Sequence, residues 1–330
     1  MTELIIPGII SCVVAFFAVY FSTPPLIKYL QKRNITVRDV NKKGSVMIAR
    51  PGGPSIILGI ISSEVVLYGF LQSNAILAVI ITSILAFLVG YVDDRKVMGW
   101  WFKPVALAAA AAPILLLGAY DSELAFPPFG QIQIPVLYLG VVVFMILVTG
   151  NTVNSIDVLN GVASGFMTIA GFSLSVSLFI LQNYEMALVS LPIGFVSLAF
   201  YRYHKSPSRI FPGDSGALAL GAMYGAVAIV GQIEVVAAVA LLPAILNSFL
   251  FLSSVKRIVE HRQIRVKPVK HTEDMKLKAT DDTHAPVTLV RLILASGPLS
   301  EKQVAGTIFR LAAFSGALAV VTTFMMAVST

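Results

Sequence analysis

Four short stretches of this chain hold side chains whose types and spacing could do chemistry. They are the adjacent carboxylates Asp93 and Asp94, the run Asn151, Asn154, Asp157 and Asn160, the pair Gly213–Asp214, and His261–Arg262. Two neighbouring carboxylates can share a divalent cation, or one of them can gain enough proton affinity to act as a base. Asn151, Asn154 and Asp157 recur every three positions, which on a helix places them roughly on one face. Amide and carboxylate oxygens are the ligands Mg²⁺ prefers, and it leaves part of its shell to phosphates and water. Asn160–Gly161 reads as the exit into a turn. Pro212–Gly213 forces another turn, after which Asp214 either caps the next helix or joins its N–H groups in facing a metal–phosphate assembly. His261 and Arg262 lie in the strongly basic RIVEHRQIRVKP.

Each stretch also has a plain structural reading. The Asp93–Asp94 pair is a helix end reaching water, the asparagines are a polar face packed against another helix, and the basic run is a solvated surface facing lipid headgroups. Clustering weighs against these readings, because the acidic groups gather beside Arg95, Lys96 and Lys103.

The elements that must carry these groups are long and apolar. The chain is 57% hydrophobic and 12% charged, where soluble domains carry about 25% charged residues. Ten apolar stretches approach span length, near 4–23, 54–72, 75–92, 104–120, 135–150, 162–181, 186–201, 216–233, 235–255 and 307–328. About 20 such residues cross a bilayer as a helix, so the expectation is an all-α polytopic membrane protein of about ten transmembrane helices. A β-barrel is not expected, because barrels show short alternating segments and these runs are long and continuous.

All 24 lysines and arginines fit on one side of that membrane, in the connection 24–53 and in alternate later connections. The intervening loops hold Asp121, Glu123, Glu185 and Glu234 but no lysine or arginine. Cytoplasmic loops carry the excess of basic residues, so both termini are expected outside and the four chemical stretches at the cytoplasmic face. Topology accounts for the net charge of +7, and no nucleic-acid partner is needed. The first apolar run lacks a basic start and a small-residue cleavage site, and reads as a retained helix. Cys12 has no partner for an internal disulfide. The expected organisation is one membrane domain, 1–330, with a small cytoplasmic lid at 256–305 between the last two helices; within it 288–299 is too short to span.

Taken together, GYVDDRKVMGWWFKP, GNTVNSIDVLNGVASG, SRIFPGDSGALALG and EHRQIR resemble, in order, the motifs of the polyprenyl-phosphate N-acetylhexosamine-1-phosphate transferases. The resemblance runs from PGGP at 51–54 to the last helix. DVNKK at 39–43, Lys103 and the long last loop with LVRLILASGPLSEK resemble the dolichyl-phosphate GlcNAc-1-phosphotransferase branch. Asp157 and Arg50-Pro51-Gly52-Gly53 are more like bacterial members, and Val97 stands where many relatives have Asp or Asn. The blend suggests an archaeal enzyme in a prokaryotic cell membrane.

The resemblance implies a reaction and a set of roles. The phosphate of a polyprenyl phosphate attacks the sugar-bearing phosphorus of a UDP-N-acetylhexosamine, UMP leaves, and a sugar-diphospho-lipid forms. Mg²⁺, with Mn²⁺ as an alternative, would be held by Asn154 and Asp214, with Asp157 as a further ligand. Lys103 would neutralise the diphosphate. Asp93 and Asp94 are required in the family, as base or as positioning groups. Asn160, Gly161 and Phe211 would hold uracil, Arg262 and His261 would reach the sugar phosphate, and Lys42 and Asn151 would help hold the donor. Relatives allow a homodimer. A bacterial-type undecaprenyl-phosphate transferase is the nearest alternative. A transporter is the more distant one, and Glu64 near mid-span is the residue that raises it.

Overall fold

Prolines break two of the apolar runs, and the helices meet where side chains are small. The computed structural model describes residues 2–42, 44–96, 98–99, 101–255 and 266–329. His261, Arg262 and Val97 therefore lie outside the described residues.

Among the described residues eight helices are long and apolar enough to cross a membrane: α1 (Thr2–Lys32), α2 (Gly53–Leu71), α3 (Asn74–Arg95), α6 (Pro135–Ile156), α7 (Val162–Ile180), α8 (Tyr184–His204), α9 (Gly213–Val230) and α13 (Glu301–Ser329). A pair of helices, α10 (Glu234–Ala240) and α11 (Leu242–Val255), is apolar enough to add at most one more crossing but is bent by 75°. The bend falls just before Pro243, whose missing N–H and ring oppose a continuous helix there. The run at 104–120, expected as a span, forms two short helices, α4 (Phe102–Ala110) and α5 (Ala112–Leu116), broken just before Pro113. The chain is an integral membrane protein of helical class.

Helix α9 is the axis of the bundle: 94% of its apolar window is buried. Its sequence GDSGALALGAMYGAVAIV is rich in small residues, which let membrane helices approach closely. A Cβ on Gly221 would stand 2.5 Å from the Thr149 carbonyl oxygen of α6, and one on Gly90 of α3 would stand 2.5 Å from the backbone of Asp214 and Ser215. These contacts lock α3 and α6 against α9 at fixed depth.

Among the described residues three two-stranded antiparallel hairpins decorate the ends. β1 (Thr36–Arg38) pairs with β2 (Met47–Ala49) in the register Val37↔Ile48, and a parallel bridge ties Ala49 to Ile210. β3 (Glu123–Ala125) and β4 (Gln131–Gln133) form the second hairpin, at the opposite end of the bundle from β1–β2. β5 (Val269–His271) and β6 (Leu277–Ala279) belong to the loop before α13.

That loop continues into α12 (Leu289–Ile293) and a 3-10 turn at Leu294–Ser296, together far shorter than a span. Arg291 holds it by donating to the carbonyls of Thr280 at 3.2 Å and Asp282 at 2.9 Å. The Leu289 amide donates to Asn247 of α11 at 2.9 Å.

Glu64 in α2 is wholly buried, and neither carboxylate oxygen takes a hydrogen bond among the described residues.

Candidate active site

The N-terminus of α9 is organised by a carboxylate from another helix. Gly213 has φ +72°, and a Cβ there would meet both Asp94 and Pro51 at 2.7 Å; the left-handed backbone and the crowding both call for glycine. In that geometry the Asp214 amide donates to Asp94 Oδ1 at 3.0 Å, while the Ser215 amide and hydroxyl donate to Oδ2 at 2.9 and 2.6 Å. Asp94 of α3 thus satisfies N–H groups that a helix leaves open. Asp214 is not the cap, because the N-cap position is Pro212. With the cap supplied from α3, the Asp214 carboxylate lines a cavity instead of closing its own helix.

Two cations flank it. Lys103 Nζ lies 2.9 Å from Asp93 Oδ2 and 3.2 Å from Asp214 Oδ2. Arg50 Nη2 lies 3.2 Å from Asp94 Oδ1 and 3.6 Å from Asp214 Oδ1. Burial works against charged Lys103, but Asp214 and Asp93 outweigh it and lift its proton affinity above the usual lysine range. Asp93 is almost wholly enclosed and also accepts from the Met98 amide at 3.2 Å. Asp93 and Asp94 are therefore committed to protein partners and hold Lys103, Arg50 and α9 in place.

A cavity of about 710 Å³ opens beside this cluster, lined by Lys103, Arg50 and Asp214 and by the expected Asn151, Asn154, Asp157, Asn160 and Phe211. Apolar Leu147, Val148, Phe251 and Leu252 line it as well. Helix α6 ends at Ile156, so Asp157 sits on the non-helical C-cap and not on the helical face of Asn151 and Asn154. Its side chain is only 16% exposed, with His204 Nε2 at 3.5 Å. Burial, opposed by Arg50 and reinforced by the charges of Asp214 and Asp94, pushes the Asp157 carboxyl up to about 7.

At the turn before α7, Gly161 has φ +86°. The Asn160 amide N–H donates to Glu301 Oε1 at 3.1 Å, and its side-chain Nδ2 donates to Asp39 Oδ2 at 2.9 Å. Lys42 is not on the cavity wall; its ammonium pairs with Glu301 Oε2 at 2.7 Å and donates to Ser206 at 3.2 Å. Phe211 meets His204 edge-on with centroids 6.0 Å apart.

The sequence reading missed Arg50, Asp39, His204 and Glu301 as parts of this site. Asp39 falls inside the DVNKK segment and Arg50 immediately precedes PGGP, where charge beside a motif was a usable signal. Glu301 falls inside the LVRLILASGPLSEK segment, but only folding shows that it reaches the site from the start of the last helix.

A helical membrane bundle with buried carboxylates and fixed cations beside an amide-lined cavity defines a membrane enzyme suited to a phosphorylated ligand. Residues 76–232, from α3 into the turn after α9, match the model of glycosyl transferase family 4. A Saccharolobus solfataricus protein is 26% identical over 247 residues, covering 73% of this chain and 77% of its own; it is provisionally named a UDP-N-acetylglucosamine–dolichyl-phosphate N-acetylglucosaminephosphotransferase. A Methanocaldococcus jannaschii protein, provisionally named a glycosyltransferase, is 28% identical over 297 residues, 88% of this chain and 90% of its own. The phospho-N-acetylmuramoyl-pentapeptide-transferase of Thermodesulfovibrio yellowstonii is 27% identical over 267 residues, 69% of this chain and 73% of its own.

Proposed function

We propose that this protein transfers an N-acetylhexosamine-1-phosphate, GlcNAc-1-phosphate as first choice, from a UDP-sugar to a polyprenyl phosphate of the dolichyl type. The observation that carries the reading is Asp214 held between Lys103 and Arg50 on the wall of an amide-lined cavity. An oxygen of the lipid phosphate forms a bond to the sugar-bearing phosphorus, the bond to UMP breaks, and UMP leaves with the electron pair. Catalysis of such a step is mostly positioning and charge neutralisation. Lys103 and Arg50 supply fixed positive charge, and Asp93 and Asp94 keep both cations and α9 in register.

The donor set fits one small hard cation. Among the described residues no three His, Cys, Asp or Glu side chains converge as a metal-binding group, so Asn154, Asp214 and Asp157 would hold it only together with phosphate oxygens and water, as Mg²⁺ allows. Asp93, Asp94, Asp157 and Asp214 outnumber Lys103 and Arg50 by two charges when all are ionised, the charge of one divalent ion. The cation, Mg²⁺ or Mn²⁺, supplies further neutralisation of the diphosphate when bound. By family resemblance Asn160, Gly161 and Phe211 take the uracil, Asn151 and Lys42 support the donor, and His261 and Arg262 reach the sugar phosphate. The active site faces the cytoplasm with both termini outside, the chain acts alone or as a homodimer, and its product starts N-glycan assembly.

The test is UMP release by purified protein given dolichyl phosphate and UDP-GlcNAc, with and without Mg²⁺. Metal-dependent release that needs both substrates is expected. Release only with undecaprenyl phosphate or another UDP-sugar moves the protein to a cell-wall or surface-polysaccharide pathway, and no release with any donor removes the transferase reading.

The raised proton affinity of Asp157 gives a pH dependence. Below about pH 7 a cation must displace its proton, so Mg²⁺ affinity falls by roughly tenfold per pH unit on the acid side and levels off above it. Titration calorimetry in buffers of different ionisation enthalpy should show proton release near pH 6.5 (about half a unit below that midpoint). A flat affinity with no proton release takes Asp157 out of the metal set.

A further inference from the structure

We propose that Asp39 sets the base selectivity of the nucleotide end of the cavity by fixing which atom of the Asn160 amide faces the ligand. The inference rests on the reading that this cavity takes a nucleotide, and it adds the residue that decides which base is accepted.

Asp39 is 3% exposed, and its carboxylate has two partners. Oδ1 accepts from the Asn41 amide at 2.9 Å, and Oδ2 accepts from Asn160 Nδ2 at 2.9 Å. An ionised carboxylate only accepts, whereas an asparagine amide has a donating and an accepting end. The nitrogen of Asn160 is therefore committed to Asp39. Its oxygen takes no protein partner among the described residues, and Asn160 lines the cavity together with the ring of Phe211.

The rest of the turn leaves Asn160 little freedom to adapt. Its backbone N–H is held by Glu301, and Gly161 follows in the left-handed region. A rigid acceptor on a wall that also carries an aromatic ring suits a planar heterocycle whose ring nitrogen carries a hydrogen. Uracil offers that imide N–H. The corresponding ring nitrogen of cytosine is a bare acceptor and would meet the amide oxygen lone pair to lone pair. Sites with a fixed polar group discriminate strongly against ligands that leave it unpaired.

The same hydrogen bonds predict a reversal. In Asp39→Asn the side-chain oxygen stays with the Asn41 amide, so its nitrogen turns toward Asn160. Asn160 must then flip to offer its oxygen, which swings its NH₂ into the cavity, where cytosine N3 can accept. The double variant D39N/N160D restores an acceptor toward the ligand by exchanging the two groups.

The experiment is calorimetric binding of UMP and of CMP to the detergent-purified full chain. Wild type is expected to favour UMP by roughly 10- to 100-fold. D39N should bring the ratio to one or below, and D39N/N160D should return it toward the wild-type value. If D39N does not fold, Asp39→Ala serves, with a ratio near one expected. An unchanged UMP preference in D39N or Asp39→Ala, or equal loss of both nucleotides, overturns the proposal. Wild type binding neither UMP nor CMP instead refutes the nucleotide reading of the cavity.

Discussion

Replacing Asp214 with asparagine lowers turnover by roughly 10³-fold while leaving the fold intact, in line with the loss of a single preorganised electrostatic group. The substitution keeps size and removes one charge. The cap on α9 survives, because Asp94 accepts from the backbone amides of residues 214 and 215 and from the Ser215 hydroxyl, none of which changes. Lys103 and Arg50 keep their contacts with Asp93 and Asp94. What is lost is the carboxylate they share on the cavity wall, and with it the proposed cation ligand. The measurement is kcat for UMP release beside the melting temperature in detergent. A loss under about fivefold, small against the effect of removing one such group, would show that Asp214 does not organise the reacting phosphates.

Lys103→Met should reduce kcat/KM by about 10²–10³-fold and also lower the melting temperature. Lys103 stands between Asp93 and Asp214, at 2.9 and 3.2 Å, and methionine retains its apolar stem without the charge. Removing one partner of a buried ion pair costs about 3–5 kcal/mol, because the remaining charge is left uncompensated. A second substitution separates the two effects. In K103M/D93N the unpaired carboxylate is gone, so stability recovers, but the positive charge facing the diphosphate is still missing, so activity does not. If the double variant regains activity with stability, Lys103 is a structural counter-ion and the diphosphate is neutralised elsewhere.

The helical membrane class was legible because it depends on a local property, apolar runs long enough to span. The exceptions were also written locally. Pro113 breaks α4 from α5, and Pro243 follows the 75° bend between α10 and α11. Both prolines lay in plain view inside runs scored as continuous. The residues lining the cavity were legible for a similar reason, since Asn151, Asn154, Asp157, Phe211 and Asp214 occur in short polar islands at the ends of greasy stretches.

Roles that depend on which helices are neighbours were not legible. Asp94 caps a helix whose first residues lie 120 positions away, and Glu301 reaches Asn160 across 141 positions. No periodicity in a single sequence encodes such distances. The same blindness hid Arg50: its partners come from α3 and α9, and only folding brings them together.

The cap that Asp94 places on α9 also carries a schedule. Translation reaches α9 some 120 residues after it has made Asp94, on the order of ten seconds later at usual elongation rates. During that interval the nascent chain has placed two acidic side chains at the end of α3 with no α9 to receive them. Lys103 arrives early enough to hold one of them, but the other waits for its amides. Insertion in chain order would leave the place of α9, 94% of whose apolar window is buried in the finished protein, to be filled after α3 has been made. Substitutions that bulk up Gly90 or Gly213 would then act first as assembly defects, before any substrate is met.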